Sequence, residues 1–242
     1  MTRKRRFREW ILGAATLASG IAYPQNRPAT SSPAELRLRI VSSLPGKHRA
    51  VPAVIWLEPI EGTPALSFPS HGHYILLQKN RTFIPHLQVI PAGSVVEFPN
   101  EDPFFHNVFS LFDGKRFNLG LYEAGSSKSV TFSRVGVSYI FCNIHPEMSA
   151  VVIAVSSPLY AMADTNDSVL IRGIPSGDYK LHVWIEGVPQ SFLEGLSTTV
   201  HFSDQAVDLG ALKAPIAGVR TMPHTNMYGQ TYAPDDQSPY LP

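Results

Sequence analysis

The chain has 242 residues and a formal net charge of +1, which allows one large or two small domains and implies no general attraction to nucleic acid or to an anionic membrane. Its 17 glycines and 21 prolines, together with the lack of long amphipathic stretches, favour an all-β chain with many turns. The single cysteine excludes a disulfide within the chain.

Residues 1–22 have the pattern of a secretory signal peptide. A basic stretch at residues 3–8 precedes an apolar run at residues 10–21, and residues 20–22 form a small-residue cleavage site. The apolar run, about a dozen residues, is too short to span a bilayer as a helix. We therefore expect a periplasmic or secreted protein without stable membrane insertion once the signal is cleaved; an uncleaved anchor at the membrane surface is the alternative. The twin-arginine pattern is matched only in part.

Short strand-like segments follow a flexible linker at residues 23–35. They are rich in β-branched and aromatic residues and are bounded by Gly, Pro, Asn or Asp, a spacing that favours a β-sandwich or barrel. The predicted strands are residues 36–41, 51–57, 74–77, 87–90, 95–98, 108–112, 130–132, 137–141, 151–155 and 179–184.

Four residues supply a donor set with a specific chemistry. His106 stands alone, and Cys142, His145 and Met148 follow within one seven-residue segment. Two imidazoles, one thiolate and one thioether are the ligands of a blue-copper electron-transfer site. Zinc is a competitor because it binds Cys and His well, although Met is a poor zinc ligand. We expect His106 at the end of one strand and the Cys-x2-His-x2-Met segment in the loop between the last two strands of this sandwich.

Residues 73–155 resemble the cupredoxins, and within them the plastocyanin and amicyanin group of type I copper proteins. The resemblance depends on residues 83–102 before the first ligand, on His106-Asn107-Val108, and on residues 136–148, whose short ligand spacing is most similar to amicyanin. It implies a Greek-key β-sandwich at residues 61–157 that binds one copper ion through His106, Cys142, His145 and Met148. It also implies that Asn107 ties the two ligand loops together and directs its backbone N–H toward the thiolate.

Residues 163–184 resemble a different module, the carboxypeptidase regulatory-like or transthyretin-like β-sandwich. Residues 158–213 are few for a complete sandwich, whereas the cupredoxin-like part does not need residues 36–60. One hypothesis is that residues 36–59 supply the missing strands, so that the copper domain is an insertion between two parts of the second module. The alternative is pairing with the strands that follow directly in the chain.

The remaining histidines and the tail receive simpler interpretations. We expect His86 to be structural and His182 to be a packed side chain on a strand; His71 and His73 belong to a polar loop. Residues 214–242 contain little that can be buried, so an extended or disordered tail is expected, although its tyrosines offer groups that can dock on a surface.

The sequence thus predicts an exported electron carrier, not an enzyme. Copper would cycle between Cu(II) and Cu(I) and pass single electrons to or from a redox protein such as a c-type cytochrome, a dehydrogenase or an oxidase. Two alternatives remain: a copper chaperone or scavenger that hands over metal, and an interaction protein with a vestigial copper site.

Overall fold

The computed structural model describes residues 34–42, 50–64, 66–68, 71–111, 114–215 and 224–232. The signal peptide predicted at residues 1–22 lies outside these residues. The predicted linker at residues 23–35 overlaps them only at its end, where the first strand begins. Across the described part of the chain, no helix has the length and apolar character that crossing a membrane requires.

The prediction of an all-β chain is confirmed, because the described residues form seventeen strands and one short helix. In chain order the elements are β1 (Ala34–Ser42), β2 (Ala53–Pro59), β3 (His73–Ile75), β4 (Leu77–Lys79), β5 (Thr82–Ile84), β6 (Leu87–Pro91), β7 (Ser94–Pro99), β8 (His106–Ser110), β9 (Phe117–Tyr122), β10 (Ser127–Phe132), β11 (Gly136–Phe141), β12 (Ser149–Val155), β13 (Tyr160–Met162), β14 (Ser168–Ile174), β15 (Gly177–Ile185), α1 (Gln190–Gly195), β16 (Thr198–Phe202) and β17 (Val207–Ala214).

Strands β3 to β12 form what we call the central sandwich. One sheet has the order β10-β7-β3 and the other β6-β12-β11-β8-β9, with the β4–β5 hairpin beside them. Side chains that alternate along these strands meet between the sheets, as the period of two in a β-strand requires. The resulting core contains Val96, Phe98, Val108, Phe132, Ile140 and Val152.

The other strands form a second, flanking sandwich whose sheets have the orders β14-β1-β17 and β13-β2-β15-β16. Strand β1 pairs with β14 and β17, and β2 pairs with β13 and β15. The two strands that precede the central sandwich in the chain therefore pair, within the described residues, with strands that follow it. This is the pairing that the insertion hypothesis requires.

Strand β12 is buried on both faces, which explains its unbroken apolar sequence. Val152 and Ala154 point into the core of the central sandwich, whereas Val151 and Ile153 belong to the core of the flanking sandwich. Residues that alternate along a strand face opposite sides of the sheet, so a strand covered on both sides carries apolar residues at every position.

Polar contacts also join the two sandwiches, in addition to the apolar packing of β12. Nε1 of Trp184 donates a hydrogen bond to the hydroxyl of Tyr139 at 3.1 Å. Nε2 of His86 bonds the carboxylate of Glu186, and Nδ1 of His86 lies 3.0 Å from the carbonyl oxygen of Ser149. The hydrogen bond that His86 donates to Glu186 raises the pKa of His86, which burial alone would lower. His86 is thus structural, as predicted.

Some strand boundaries differ from the predicted ones. The segment predicted at residues 74–77 is divided between β3 and β4, and β8 begins at His106, two residues before the predicted start. Strands β5, β9, β13, β14, β16 and β17 were not predicted. Strand β9 contains Gly120 at φ 67° and alternates poorly between apolar and polar residues, so its sequence gave only a weak strand signal.

Because the pKa of His86 is raised in the folded protein, its pair with Glu186 stabilises the fold fully below the unfolded-state pKa of about 6.5 and loses this effect as pH rises through the folded-state pKa. Replacing Glu186 with Gln should therefore lower the free energy of unfolding more at about pH 5.5 than at about pH 9. Urea denaturation of both proteins at both pH values measures this. Glu123→Gln, at an exposed carboxylate, is the control; an equal loss for Glu186→Gln at both pH values would contradict the prediction.

Candidate metal centre

Two loops at one end of the central sandwich carry the predicted ligands. His106 is the first residue of β8, whereas Cys142, His145 and Met148 lie in the loop between β11 and β12. Strands β8 and β11 are antiparallel neighbours, so the start of β8 and the end of β11 lie at the same end of the sheet. Strand pairing thereby joins two segments that are 36 residues apart in sequence.

Three of the predicted side chains converge there. Sγ of Cys142 lies 3.5 Å from Nδ1 of His145 and 3.8 Å from Nδ1 of His106, and the two Nδ1 atoms are 3.1 Å apart. His106 and Cys142 are fully buried, and His145 is 5% exposed. Across the described residues, this is the one group of three or more His, Cys, Asp or Glu side chains arranged to hold a metal ion.

The three separations fit a single metal ion. Nitrogen and sulfur ligands that sit about 2.0–2.3 Å from one ion, in a tetrahedral or trigonal arrangement, are about 3–4 Å from one another. The distances between Sγ of Cys142 and the two imidazole nitrogens fall in this range. Soft thiolate and imidazole donors suit copper and zinc better than the hard cations Mg²⁺ and Ca²⁺.

The surroundings of Cys142 act on its thiol in two opposite directions. Burial raises the pKa of the Cys142 thiol, because a thiolate loses its hydration there. The backbone N–H groups of Asn107, Ile144 and His145 favour the thiolate and offset part of this effect. A bound cation would supply the remaining stabilisation, since metal ligation deprotonates a thiol outright.

Asp102 fixes the orientation of His106. Nε2 of His106 donates a hydrogen bond to Oδ2 of Asp102 at 2.8 Å, and both residues are buried. With its proton held on Nε2, the neutral imidazole presents the lone pair of Nδ1 toward Cys142 and His145, the form that a metal ligand needs. Burial lowers the pKa of His106, which keeps the ring neutral.

A tight turn holds Asp102 in place. Asn80 and Arg81 link β4 to β5, and both have φ of 54°, as the two-residue hairpin turn with positive φ at both positions requires. Their backbone N–H groups donate to the two carboxylate oxygens of Asp102 at 2.6 and 3.0 Å. Burial would raise the pKa of Asp102, but the bonds from Arg81, His106 and Asn80 outweigh it and lower the pKa.

The second ligand loop is closed by its own backbone. The N–H of Cys142 donates to the carbonyl of Met148 at 3.3 Å, and the N–H of Met148 donates to the carbonyl of His145 at 3.1 Å. Met148 is fully buried and belongs to the same apolar cluster as Cys142. The loop is therefore a compact turn that presents the Cys and His side chains from fixed positions.

Asn107 contributes through its main chain and its side chain in different ways. Its N–H favours the Cys142 thiolate and so joins the two ligand loops. Its side chain faces β9 instead, where Nδ2 donates to Oδ1 of Asn118 at 2.8 Å.

Aromatic rings cover the histidine side of the cluster. Phe104 lies edge-on to His106, with ring centres 5.2 Å apart, and its centre is 5.5 Å from that of His145. The guanidinium of Arg81 lies over the Phe104 ring, 5.3 Å from its centre. Phe105, which follows Phe104 in the chain, is 48% exposed.

His71, His73, His86 and His182 lie outside the cluster. His182 stacks on Trp56 with ring centres 4.9 Å apart and bonds the Glu58 carboxylate at 3.0 Å, as expected of a packed strand residue. His71 lies 3.4 Å from the carbonyl of Gly93, and His73 pairs with Glu97 at 3.3 Å.

Two contributors to the site have only weak sequence signals. The first is Asp102, for which the four-residue spacing before His106 was the only signal. The second is the C-terminal segment at residues 224–232, which packs on the Cys142 loop: the hydroxyl of Tyr232 donates to the carbonyl of Cys142 at 2.8 Å. These residues fall inside the predicted tail at residues 214–242, whose remaining part beyond residue 215 lies outside the described residues.

No family model and no curated protein matches this chain. Solved structures similar to it include a purple cupredoxin from Nitrosopumilus maritimus, 26% identical over 34% of this chain and 98% of that one, with a TM-score of 0.31. Amicyanin from Paracoccus versutus is 21% identical over 41% of this chain and 91% of its own, with a TM-score of 0.32. A Cu-containing nitrite reductase from Thermus scotoductus is 22% identical over 50% of this chain and 28% of the reductase, with a TM-score of 0.33.

The Asp102 carboxylate generates a direct test. In Asp102→Asn the negative charge behind His106 is lost, so Cu(II) binding should weaken about 10–100-fold, as is usual when a partner of a ligand histidine is removed. Competition with a chelator of known affinity measures this. Glu101→Gln, at a neighbouring exposed carboxylate that pairs with Lys79, is the control, and equal affinities for both variants would exclude a role for Asp102.

Proposed function

We propose that this chain is an exported type I copper protein that transfers single electrons, with one copper ion held by His106, Cys142 and His145 and with Met148 as a weak axial ligand. The observation that carries the proposal is the convergence of one sulfur and two Nδ1 atoms, 3.1–3.8 Å apart, in a buried site. The cupredoxin resemblance of residues 73–155 supports the same assignment.

The chain's contribution is to keep the donor atoms in place whatever the oxidation state. When bound, copper would supply a centre that accepts and releases one electron. Asp102 holds the His106 ring, and the turn from Cys142 to Met148 holds the second loop. A site that barely changes shape needs little rearrangement when its charge changes, which favours fast electron transfer.

Met148 favours copper over zinc. A thioether is a poor zinc ligand, whereas a long axial Met is typical of blue-copper sites. Met148 is conformationally restricted by burial and by two backbone hydrogen bonds in the same loop as Cys142. In this assignment the protein fills every ligand position, and a catalytic metal needs one open position, so we propose an electron carrier and not an enzyme.

Electrons would enter and leave through His145. It is the more exposed of the two histidines. Its chain neighbours Ile144 and Pro146 are half-buried and exposed, and the half-buried Phe104 ring lies 5.5 Å from its own ring. An apolar surface of this kind suits brief contact with a redox protein, for which we propose a c-type cytochrome, a dehydrogenase or an oxidase in the periplasm or outside the cell.

A copper chaperone or scavenger is the alternative, and burial of the site speaks against it. Handing over a metal requires ligands that a partner can reach, whereas Cys142 and His106 are fully buried. Slow release of copper would agree with electron transfer, and fast exchange with an added chelator would agree with metal handling.

Titration of the full chain with Cu(II) tests the site. An intense thiolate-to-copper absorption band in the visible, with narrow copper hyperfine splitting in the electron paramagnetic resonance spectrum, should appear in the wild type and be absent in Cys142→Ser. His201→Gln, at an exposed histidine in the flanking sandwich, should leave both signals unchanged. A colourless wild-type protein with ordinary tetragonal copper signals would refute the proposal.

Electron self-exchange between Cu(I) and Cu(II) molecules tests the exit surface without knowledge of the partner. Ile144→Glu places like charges on both apolar surfaces as two molecules approach, so the exchange rate measured by nuclear magnetic resonance should fall about tenfold or more while copper stays bound. The matched control is Ile75→Glu at a 52% exposed isoleucine in β3. Equal rates in the two variants would place the exit elsewhere.

A further inference from the structure

The C-terminal segment at residues 224–232 is attached to the Cys142 loop by specific hydrogen bonds. The hydroxyl of Tyr232 donates to the carbonyl of Cys142, and the N–H of Met227 donates to Oδ1 of Asn143, both at 2.8 Å. Burial raises the pKa of Tyr232, so the phenol keeps its proton and remains a donor. These bonds reach a candidate ligand residue and its neighbour from about 90 residues away in sequence.

Ring stacking strengthens this attachment. His224 stacks on Phe141, the residue directly before Cys142, with ring centres 4.0 Å apart and planes inclined by 20°. Tyr232 meets the same His224 edge-on at 5.2 Å. The three rings therefore form one continuous contact along the chain segment that leads into Cys142.

The segment also contacts β9, the strand that pairs with β8 and its first residue His106. Nδ2 of Asn118 donates to the sulfur of Met227 at 3.5 Å. Oδ1 of the same Asn118 accepts the side-chain hydrogen bond of Asn107, which directly follows His106. Residues 224–232 thus contact the Cys142 loop directly and are linked through Asn118 to Asn107, the residue after His106.

We propose that residues 224–232 form part of the metal centre and that Tyr232 is a positioning residue for Cys142. The Tyr232 hydroxyl fixes the main chain of the ligand cysteine, and the rings of Tyr232 and His224 keep water away from it. This inference rests on the proposed copper site, and it assigns a role to part of the tail that composition predicted to be extended or disordered.

The expected change in the reduction potential of the copper follows from the charge of the site. A thiolate bound to Cu(II) carries a net charge of +1, and the same thiolate bound to Cu(I) is neutral, so excluding water and polar solvent favours Cu(I). When the Tyr232 hydroxyl is removed, the Cys142 carbonyl loses this hydrogen bond. The partial negative charge on the carbonyl oxygen is then no longer offset, and it favours Cu(II). Entry of water and loss of this hydrogen bond would both lower the reduction potential.

The test compares Tyr232→Phe, which removes only the hydroxyl, with Tyr232→Leu, which also removes the ring. In the copper-loaded protein, Tyr232→Phe should shift the equilibrium with a redox dye toward Cu(II) by about three- to tenfold, the size expected for one neutral hydrogen bond. Tyr232→Leu should shift it at least as far and also speed copper loss to a chelator. Tyr228→Phe is the matched control, because Tyr228 lies in the same segment and is 71% exposed.

A second readout needs no copper. Cys142 is the only cysteine of the chain and is fully buried, so its reaction with a disulfide reagent in the apoprotein reports how well the site is covered. Tyr232→Leu should speed this reaction several-fold, and Tyr228→Phe should not.

The outcomes separate the two proposals. Blue copper in the wild type, with both Tyr232 variants indistinguishable from Tyr228→Phe in potential, copper loss and thiol reactivity, would overturn the role of the segment and leave the proposed function intact. A wild-type protein without blue copper would overturn the proposed function and the tuning of potential. The thiol reaction in the apoprotein would then decide by itself whether residues 224–232 cover Cys142.

Discussion

The structure depends on the enclosure of three polar donor groups in a space closed to water. Burying imidazoles and a thiol costs free energy unless they find partners, and here the groups face one another at 3.1–3.8 Å. A cation offsets that cost, because it stabilises the thiolate that burial disfavours. In the proposed copper site the same enclosure would limit exchange of the metal and favour the less charged oxidation state, so burial would affect affinity, potential and kinetic stability together.

The groups around these donors mainly fix the orientation of the donor side chains. Asp102 sets which nitrogen of His106 carries the proton, and two N–H groups from the turn at Asn80 and Arg81 hold Asp102. Asn107 uses its main chain toward Cys142 and its side chain toward Asn118. Each arm of this network starts on a rigid strand or a tight hairpin, so its geometry persists when the charge of the site changes.

The flanking sandwich helps to fix the position of the site. Strand β12, which follows the second ligand loop, is packed on both faces, and Trp184 and Glu186 hold Tyr139 and His86 beside it. The ligand loop therefore leads into one of the most completely buried strands of the chain. Its position is fixed by packing from two cores, and residues 224–232 add hydrogen bonds to Cys142 and Asn143.

The sequence by itself determined the strand-rich fold and the ligand candidates, because both are recorded locally: the first in period-two alternation and turn residues, the second in the rare combination of Cys142, His145 and Met148 within seven positions. Tertiary structure alone decided the rest. Asp102 became a partner of His106 only because a hairpin turn holds it there, and Tyr232 met Cys142 only because the chain returns after about 90 residues. A polar, proline-rich tail has no periodicity that reveals what it will touch, since hydrogen bonds between distant residues depend on where the strands have placed them.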